Sequence, residues 1–401
     1  MPRRRIYLFI GFLIVIVAVA YGMYALLFKK PTEPIAEIPI EEQLGTLPPA
    51  QTGAPQGTAV SPVGALPPGI SLIAEGGLTV VSPVAAVPTT GATLTSSGVA
   101  FYNRNEGKFY RMTADGNLQS LSDKRFLNVS DVTFDPAGQK AILEFPDGAN
   151  VIYDFAAARQ VTLPKHWEDF GFSPKGDQIV AKSLGSDPAN RFLVIANADG
   201  TSARAVQELG ENADKVFAEW SPNNQMVATA LTGDFEGVDR RTMFFVGANN
   251  ENFKSMVVEG LGYIPKWSPT GNRLLYSAAS AASDYKPLLW ISDASGDDIG
   301  KNRKSFAVNT WADKCTFGNS DEELYCAVPI SMQRGAGLQR SVSSNIPDTV
   351  MRINTRTGVQ TRIAVPEGEK TISTLMVSPD GRSLLFVDAG TGSLNKIQIA
   401  P

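Results

Sequence analysis

The first pattern along the chain is an unbroken apolar run. Residues Ile6 to Phe28 carry no charge over 23 positions, about 34 Å as a helix at roughly 1.5 Å per residue, against a hydrocarbon core of about 30 Å. The run predicts a membrane-spanning helix. Arg3, Arg4 and Arg5 precede it, whereas Lys29 and Lys30 give way to Glu33, Glu37, Glu41 and Glu42. The basic excess places residues 1–5 in the cytoplasm and the bulk of the chain outside. A cleavable signal peptide is the competing reading, because Ala18-Val19-Ala20 has the small-x-small pattern of a cleavage site. The apolar run continues eight residues beyond Ala20, which favours the anchor. Both readings put the domain outside the cytoplasm, and the lack of a nearby cysteine excludes a lipoprotein.

Periodicity then disappears. Residues 29–77 are rich in Pro, Gly, Ala and Thr, and no Lys, Arg or His occurs between Lys30 and Arg104. Such a stretch cannot bury a core and reads as a flexible linker. About 50 flexible residues would reach on the order of 40 Å, more where prolines stiffen them. Within this region Leu78 to Val87 (LTVVSPVAAV) stands out as β-branched and apolar enough for a strand.

Beyond the linker an apolar residue followed by a tight-turn signal recurs. It occurs as Phe134-Asp135-Pro136-Ala137-Gly138, Phe172-Ser173-Pro174-Lys175-Gly176, Trp220-Ser221-Pro222-Asn223-Asn224, Trp267-Ser268-Pro269-Thr270-Gly271 and Val377-Ser378-Pro379-Asp380-Gly381. A degenerate copy is Phe317-Gly318-Asn319-Ser320-Asp321. Proline pre-sets φ in the turn and Gly or Asn takes its left-handed position. Each copy precedes a short hydrophobic strand, namely KAILEF, QIVAKS, QMVATA, RLLYSA, ELYCAV and SLLFVD. A second hairpin signal follows in each unit, as in KFYRMTADGNLQSLS and VMRINTRTGVQTRIAV. Two hairpins make a four-stranded antiparallel sheet.

The anchors at 134, 172, 220, 267, 317 and 377 lie 38, 48, 47, 50 and 60 residues apart, the spacing of propeller blades with loops of varying length. A worn unit with Thr95 to Tyr102 as its first hairpin precedes them. The reading is a seven-bladed β-propeller over residues 78–401, with six or eight blades as alternatives. The last unit, from Thr371, has room for three strands. The strand within 78–87 is expected to supply its fourth and close the ring.

The repeated F/W-S-P-x-G motif resembles the TolB-like propeller repeats, over about residues 93–401. The same repeat type occurs in the propellers of prolyl oligopeptidase relatives. The resemblance implies a periplasmic or extracellular protein-interaction domain. TolB itself is soluble and carries a second N-terminal domain, where this chain has an apolar run and a linker, so a role in Tol-type envelope assembly is not carried over.

Composition fits this picture: 43% of residues are hydrophobic and 19% charged, with 36 Gly and 26 Pro. A net charge of −4 and no interleaving of basic with aromatic residues argue against nucleic acid as a partner. Candidate chemistry is sparse. Cys315 and Cys326 are centred on the Ser320-Asp321 turn and should face each other across two strands, as a structural disulfide or as two buried thiols. The only histidine, His166, cannot build a multi-histidine metal site and reads as a surface residue. No Gly-x-Ser-x-Gly elbow, phosphate loop or zinc motif is present. The acidic pairs Glu168-Asp169, Asp297-Asp298 and Glu322-Glu323 read as solvated turn residues. The expectation is no catalytic residue, no cofactor and no metal.

Two long loops are more suggestive. Gly233 to Arg241 and Ser331 to Asn345 interrupt blades where other units have short turns, and loops on a rigid scaffold commonly carry binding. Arg334, Leu338, Gln339 and Arg340 are the candidate contacts, with Asp239-Arg240-Arg241 beside them. The sequence thus reads as a membrane-anchored propeller that binds an unidentified protein of the cell envelope. A propeller enzyme or binder acting on envelope carbohydrate is one alternative, requiring several carboxylates in the central channel. A subunit of a membrane-associated assembly or secretion apparatus is the other. The oligomeric state stays open.

Overall fold

The computed structural model describes residues 69–401, together with Tyr21. The expected spanning run 6–28 and the linker as far as residue 68 otherwise lie outside the described residues. Among the described residues no helix is long and apolar enough to cross a membrane.

The fold is an all-β propeller of seven sheets, six with four strands and one with six. Sheet 1 runs from Thr89–Thr95 through Gly98–Asn103 and Lys108–Met112 to Leu118–Ser120. Sheet 2 comprises Asp131–Phe134, Lys140–Glu144, Asn150–Asp154 and Arg159–Leu163; sheet 3, Trp167–Phe172, Gln178–Leu184, Arg191–Asn197 and Arg204–Glu208. Sheet 4 comprises Val216–Ala218, Met226–Ala230, Arg240–Gly247 and Met256–Glu259; sheet 5, Leu261–Trp267, Arg273–Ala279, Pro287–Asp293 and Lys304–Asn309. Sheet 6 holds Cys315–Phe317, Glu323–Pro329, Asp348–Asn354 and Gln360–Pro366, and sheet 7 holds Ile372–Val377, Ser383–Asp388 and Leu394–Gln398. Seven apolar clusters fill the junctions between neighbouring sheets. The cluster of Leu385 and Leu394 with Val99, Phe101 and Met112 joins sheet 7 back to sheet 1.

Ring closure divides the N-terminal segment between two sheets. Ser82–Ala85 is the fourth strand of sheet 7, antiparallel to Leu394–Gln398 with Ser82 opposite Lys396. Leu78–Thr79, expected in the same strand, instead pairs parallel with Gln360–Pro366 of sheet 6, and Ile70–Ser71 adds outside it. Among the described residues the first strand is therefore Ile70–Ser71, ahead of the expected boundary of 78. Backbone bonds explain why composition hid this: Gly76 N–H donates to Ile363 O at 2.7 Å and Val365 N–H to Gly77 O at 2.8 Å, so hydrogen bonding orders a segment with little apolar surface.

Each repeated turn joins the first and second strands of its sheet. Its serine caps the hairpin: Ser221 Oγ accepts the Met226 N–H at 2.9 Å and Ser378 Oγ the Ser383 N–H at 2.9 Å. Asp135 does the same for Lys140 at 2.7 Å. Successive turns also touch, since Asn223 Nδ2 donates to Gly271 O at 2.9 Å and the Thr270 N–H to Asp321 at 3.2 Å. Phe134, Trp220, Trp267, Phe317 and Val377 are buried, and Phe172 is half-buried; Pro136, Pro222, Pro269 and Pro379 are exposed, with Pro174 half-buried. The degenerate turn of sheet 6 has Gly318 in place of the capping serine, and there Cys315 and Cys326, directly paired across the two strands, are disulfide-bonded.

Candidate functional site

The first strand of every sheet lines the central channel, so side chains on these strands converge. A cavity of about 640 Å³ opens between sheets 2 to 5, lined by Asp131, Glu144, Asp169, Lys182, Asp214 and Glu219 with Phe170 and Phe217. Antiparallel register fixes the charges. Asp131 begins its strand directly opposite Glu144, which ends the next one, a like-charge pairing that a sheet ordinarily avoids. In sheet 3 the register slips between Glu168 and Gly171, and Asp169 takes a left-handed φ of 54°. This bulge re-aims the Asp169 carboxylate to within 2.6 Å of Lys182 Nζ, itself almost fully buried. Glu168 and Asp169 are both exposed, as expected, but they lie on the first strand of sheet 3 and not in a turn, and Asp169 lines the cavity.

The electrostatic consequence is an unbalanced site. Burial, then the charges of Asp131, Asp169 and Glu168, push the Glu144 carboxyl up to about 7. Burial raises Glu219 to about 7 as well, against the opposing pull of Lys266. Burial in turn lowers Lys266, opposed by Glu219 and Asp313. Two carboxyls that exchange protons near neutrality can act as acid or base, and an excess of carboxylate can hold a cationic group. Among the described residues no three His, Cys, Asp or Glu side chains stand close enough together to hold a metal ion. His166 is exposed, beside but outside this cluster.

Above the channel three consecutive loops form a crown. Each links the second strand of its sheet to the third: 231–239 in sheet 4, 280–286 in sheet 5 and 330–347 in sheet 6. Topology puts them on one face, and hydrogen bonds lock them together. The Gly335 N–H donates to Asp284 O at 2.9 Å and the Gly337 N–H to Tyr285 O at 2.8 Å, while the Ala281 N–H donates to Asp239 Oδ2 at 3.3 Å. Asp284 and Tyr285 both hold left-handed φ, and Ala336 is fully buried. A Cβ on Gly337 would meet Ala279 Cβ at 2.4 Å, so glycine is what lets the loops cross.

These contacts redistribute the roles expected for the basic side chains. Arg340 is committed to Asp313 at 2.5 Å and lies 4.9 Å from the Trp311 ring centroid. Arg240 pairs with Glu259 at 2.9 Å, and Arg241 donates to Gly233 O and stacks over Phe235. Arg334, Leu338 and Gln339 remain exposed. The face is instead marked by apolar groups that sequence reasoning did not single out: Phe235 is 61% exposed, Val238 84% and Val342 41%, beside Leu338 at 54%. No periodicity could have flagged them, since Phe235, Val238 and Leu338 lie in irregular loops and Val342 in a single 3-10 turn over Arg340–Ser343.

No protein-family model matches the chain, and no curated protein matches its sequence. Solved structures similar to it are β-propellers. An oligogalacturonate lyase in complex with manganese gives a TM-score of 0.57 at 12% identity, covering 78% of this chain and 90% of that one. A prolyl endopeptidase gives 0.52 at 12% identity, covering 79% of this chain and 51% of that one. A chain of the mitotic checkpoint complex gives 0.50 at 11% identity, covering 88% of this chain and 99% of that one. At such identities the likeness is one of fold alone. The TolB-like grouping stays at the level of the shared motif. Because enzymes stand among these neighbours, the expectation of a non-enzymatic chain gains nothing from them.

Proposed function

We propose that the chain is a binding module, tethered to a membrane through residues 6–28 and facing outside the cytoplasm, that engages a protein partner through the crown. The observation that carries this is the locking of the 330–347 loop by the carbonyls of Asp284 and Tyr285. A loop fixed in this way loses little entropy on binding, yet it presents Leu338 and Val342 to solvent. Exposed apolar groups rimmed by polar ones are the usual mark of an interface. An envelope protein is the expected partner on the strength of the N-terminal charge pattern.

The test is crosslinking and pull-down from intact membranes with the full-length chain. Deleting 331–345 would remove buried Ala336 and the Arg340 contacts, so a triple substitution of Phe235, Leu338 and Val342 to Ser is the cleaner variant. Loss of a specific partner with retained thermal stability supports the crown. Partners that survive the triple substitution, or no partner at all, overturn it.

A second reading is favoured by the carboxyls of the channel. Glu144 and Glu219 both titrate near neutrality in a cavity with Phe170 and Phe217, the elements of an acid–base site for a carbohydrate chain. Release of new reducing or unsaturated ends from envelope polysaccharide, abolished by Glu144→Gln, would select this reading.

A further inference from the structure

We propose that the outer edge of Phe244–Gly247 in sheet 4 docks an extended peptide as an added strand, one with apolar side chains at alternate positions and a lysine or arginine between them. The strand Arg240–Gly247 changes partners along its length. Arg240 to Met243 pair outward with Met256–Glu259, whereas Phe244 to Gly247 pair only inward, with Met226–Ala230. In sheet 2, by contrast, the third strand is covered along all of Asn150–Asp154. The difference arises from the chain between Gly247 and Met256, which does not pair with this stretch; its Asn250, Glu251 and Asn252 line the groove beside it.

Alternate residues of an antiparallel strand aim their N–H and C=O at each edge. About half of the main-chain groups of Phe244 to Gly247 therefore face outward, and none has a partner there among the described residues. The outermost strands of the propeller also have free edges, but those such as Leu118–Ser120 are short and exposed, as edges that avoid pairing tend to be. The Phe244 edge is recessed. It forms one wall of a groove of about 580 Å³ between sheets 3 and 4, with Val206, Leu209 and Val216 as apolar lining. Phe244 projects into it, 43% exposed, and Val246 on the same face packs against the cluster beneath.

These features fix the occupant. Main-chain groups at the edge fit a strand, the apolar lining takes every second side chain, and Glu208 and Glu251 line the groove with no Lys or Arg among its walls. Arg204, just outside, is turned to Asn249. The complement is an extended segment carrying positive charge, recognised by strand addition. This surface adjoins the crown at Thr232, but Phe235, Leu338 and Val342 do not line it, so its test does not depend on the crown reading.

The experiment is selection of short peptides from a random display library on the full-length protein, followed by fluorescence anisotropy of the selected sequence. The expected winners alternate apolar residues with Lys or Arg. Methylating the peptide nitrogens that face the edge should weaken binding at least about tenfold, and Phe244→Ala should do the same. Bound peptide should slow amide exchange within Phe244 to Gly247, and the crown triple variant should bind it normally. The proposal fails if no sequence is enriched, if the methylated peptide binds as well, or if protection appears elsewhere. A concentration-dependent dimer that protects these amides without peptide would also overturn it, naming a second copy as the occupant.

Discussion

Lys314 Nζ stands 2.7 Å from both carboxylate oxygens of Asp348, and neither side chain reaches solvent. Asp348 Oδ2 also accepts the Ile372 N–H at 2.7 Å. One buried pair thus staples the connector between sheets 5 and 6 to the third strand of sheet 6 and to the start of sheet 7. Burial lowers the lysine and raises the aspartate, each opposed by its partner, so the two depend on each other. Lys314→Met should cost about 3–5 kcal/mol, because it strands a buried carboxylate. Adding Asp348→Asn should recover part of that loss, since the amide oxygen can still accept from Ile372. Urea unfolding of the two variants checks this; a single-variant loss below about 1 kcal/mol would show that the pair is not a staple.

Sheet 6 lacks the serine that caps the hairpins of sheets 3, 4, 5 and 7, and its disulfide spans that hairpin. Cys315 and Cys326 are 11 residues apart, so chain-entropy arguments put the crosslink at about 3 kcal/mol. The double variant Cys315→Ser/Cys326→Ser should lose about that much stability. Thiol titration of the unfolded, unreduced protein should find no free thiol, and finding two would remove the bridge from the argument.

The turns were legible because each residue in them does something different. Ser221 caps an amide, the proline after it sets φ, and Gly271 in the next turn accepts the left-handed position. The cysteine pairing was legible for a similar reason, being symmetric about a turn. The channel was not. Asp169 reaches Lys182 only through a bulge that no alternation pattern announces, and Glu144 meets Asp131 only once register is fixed. The crown was half legible. Loop length pointed to 331–345, but whether Arg340 is free or held depends on Trp311 and Asp313, contributed by a different connector. Periodicity reports which face of a strand is buried, and it is silent on contacts between loops of different sheets.

The channel carboxyls make stability fall as pH rises. Glu144 is held at about 7 rather than its ordinary 4.5, mainly by burial and then by Asp131. Between these values the unfolded chain has released a proton that the folded chain still binds, so the folded state loses ground as pH increases through the window and no more above it. Glu219 acts with the same sign over the same range. Glu144→Gln should therefore raise the thermal midpoint at about pH 8 relative to wild type and change it little near pH 4.5. A wild-type midpoint that climbs across this window, with no difference in the variant, would contradict the assignment.

Two glycines at the same motif position should respond differently to alanine. Gly271 and Gly381 have φ of 70° and 69°, so a Cβ in the left-handed region costs each about 1–2 kcal/mol. At Gly381 the new atom would sit 3.4 Å from the flexible Asn319 side chain, and nothing else is near. At Gly271 it would lie 2.6 Å from the backbone N of Asn223, in the neighbouring turn whose side chain bonds Gly271 O. That neighbour can give way only by moving a turn of sheet 4, so Gly271→Ala should cost more by roughly 1–3 kcal/mol. Parallel urea titrations compare them directly. Equal losses would mean that contact between successive turns does not couple sheets 4 and 5, and that the repeat is conformational alone; a larger loss at Gly271 makes the turn a latch between neighbours.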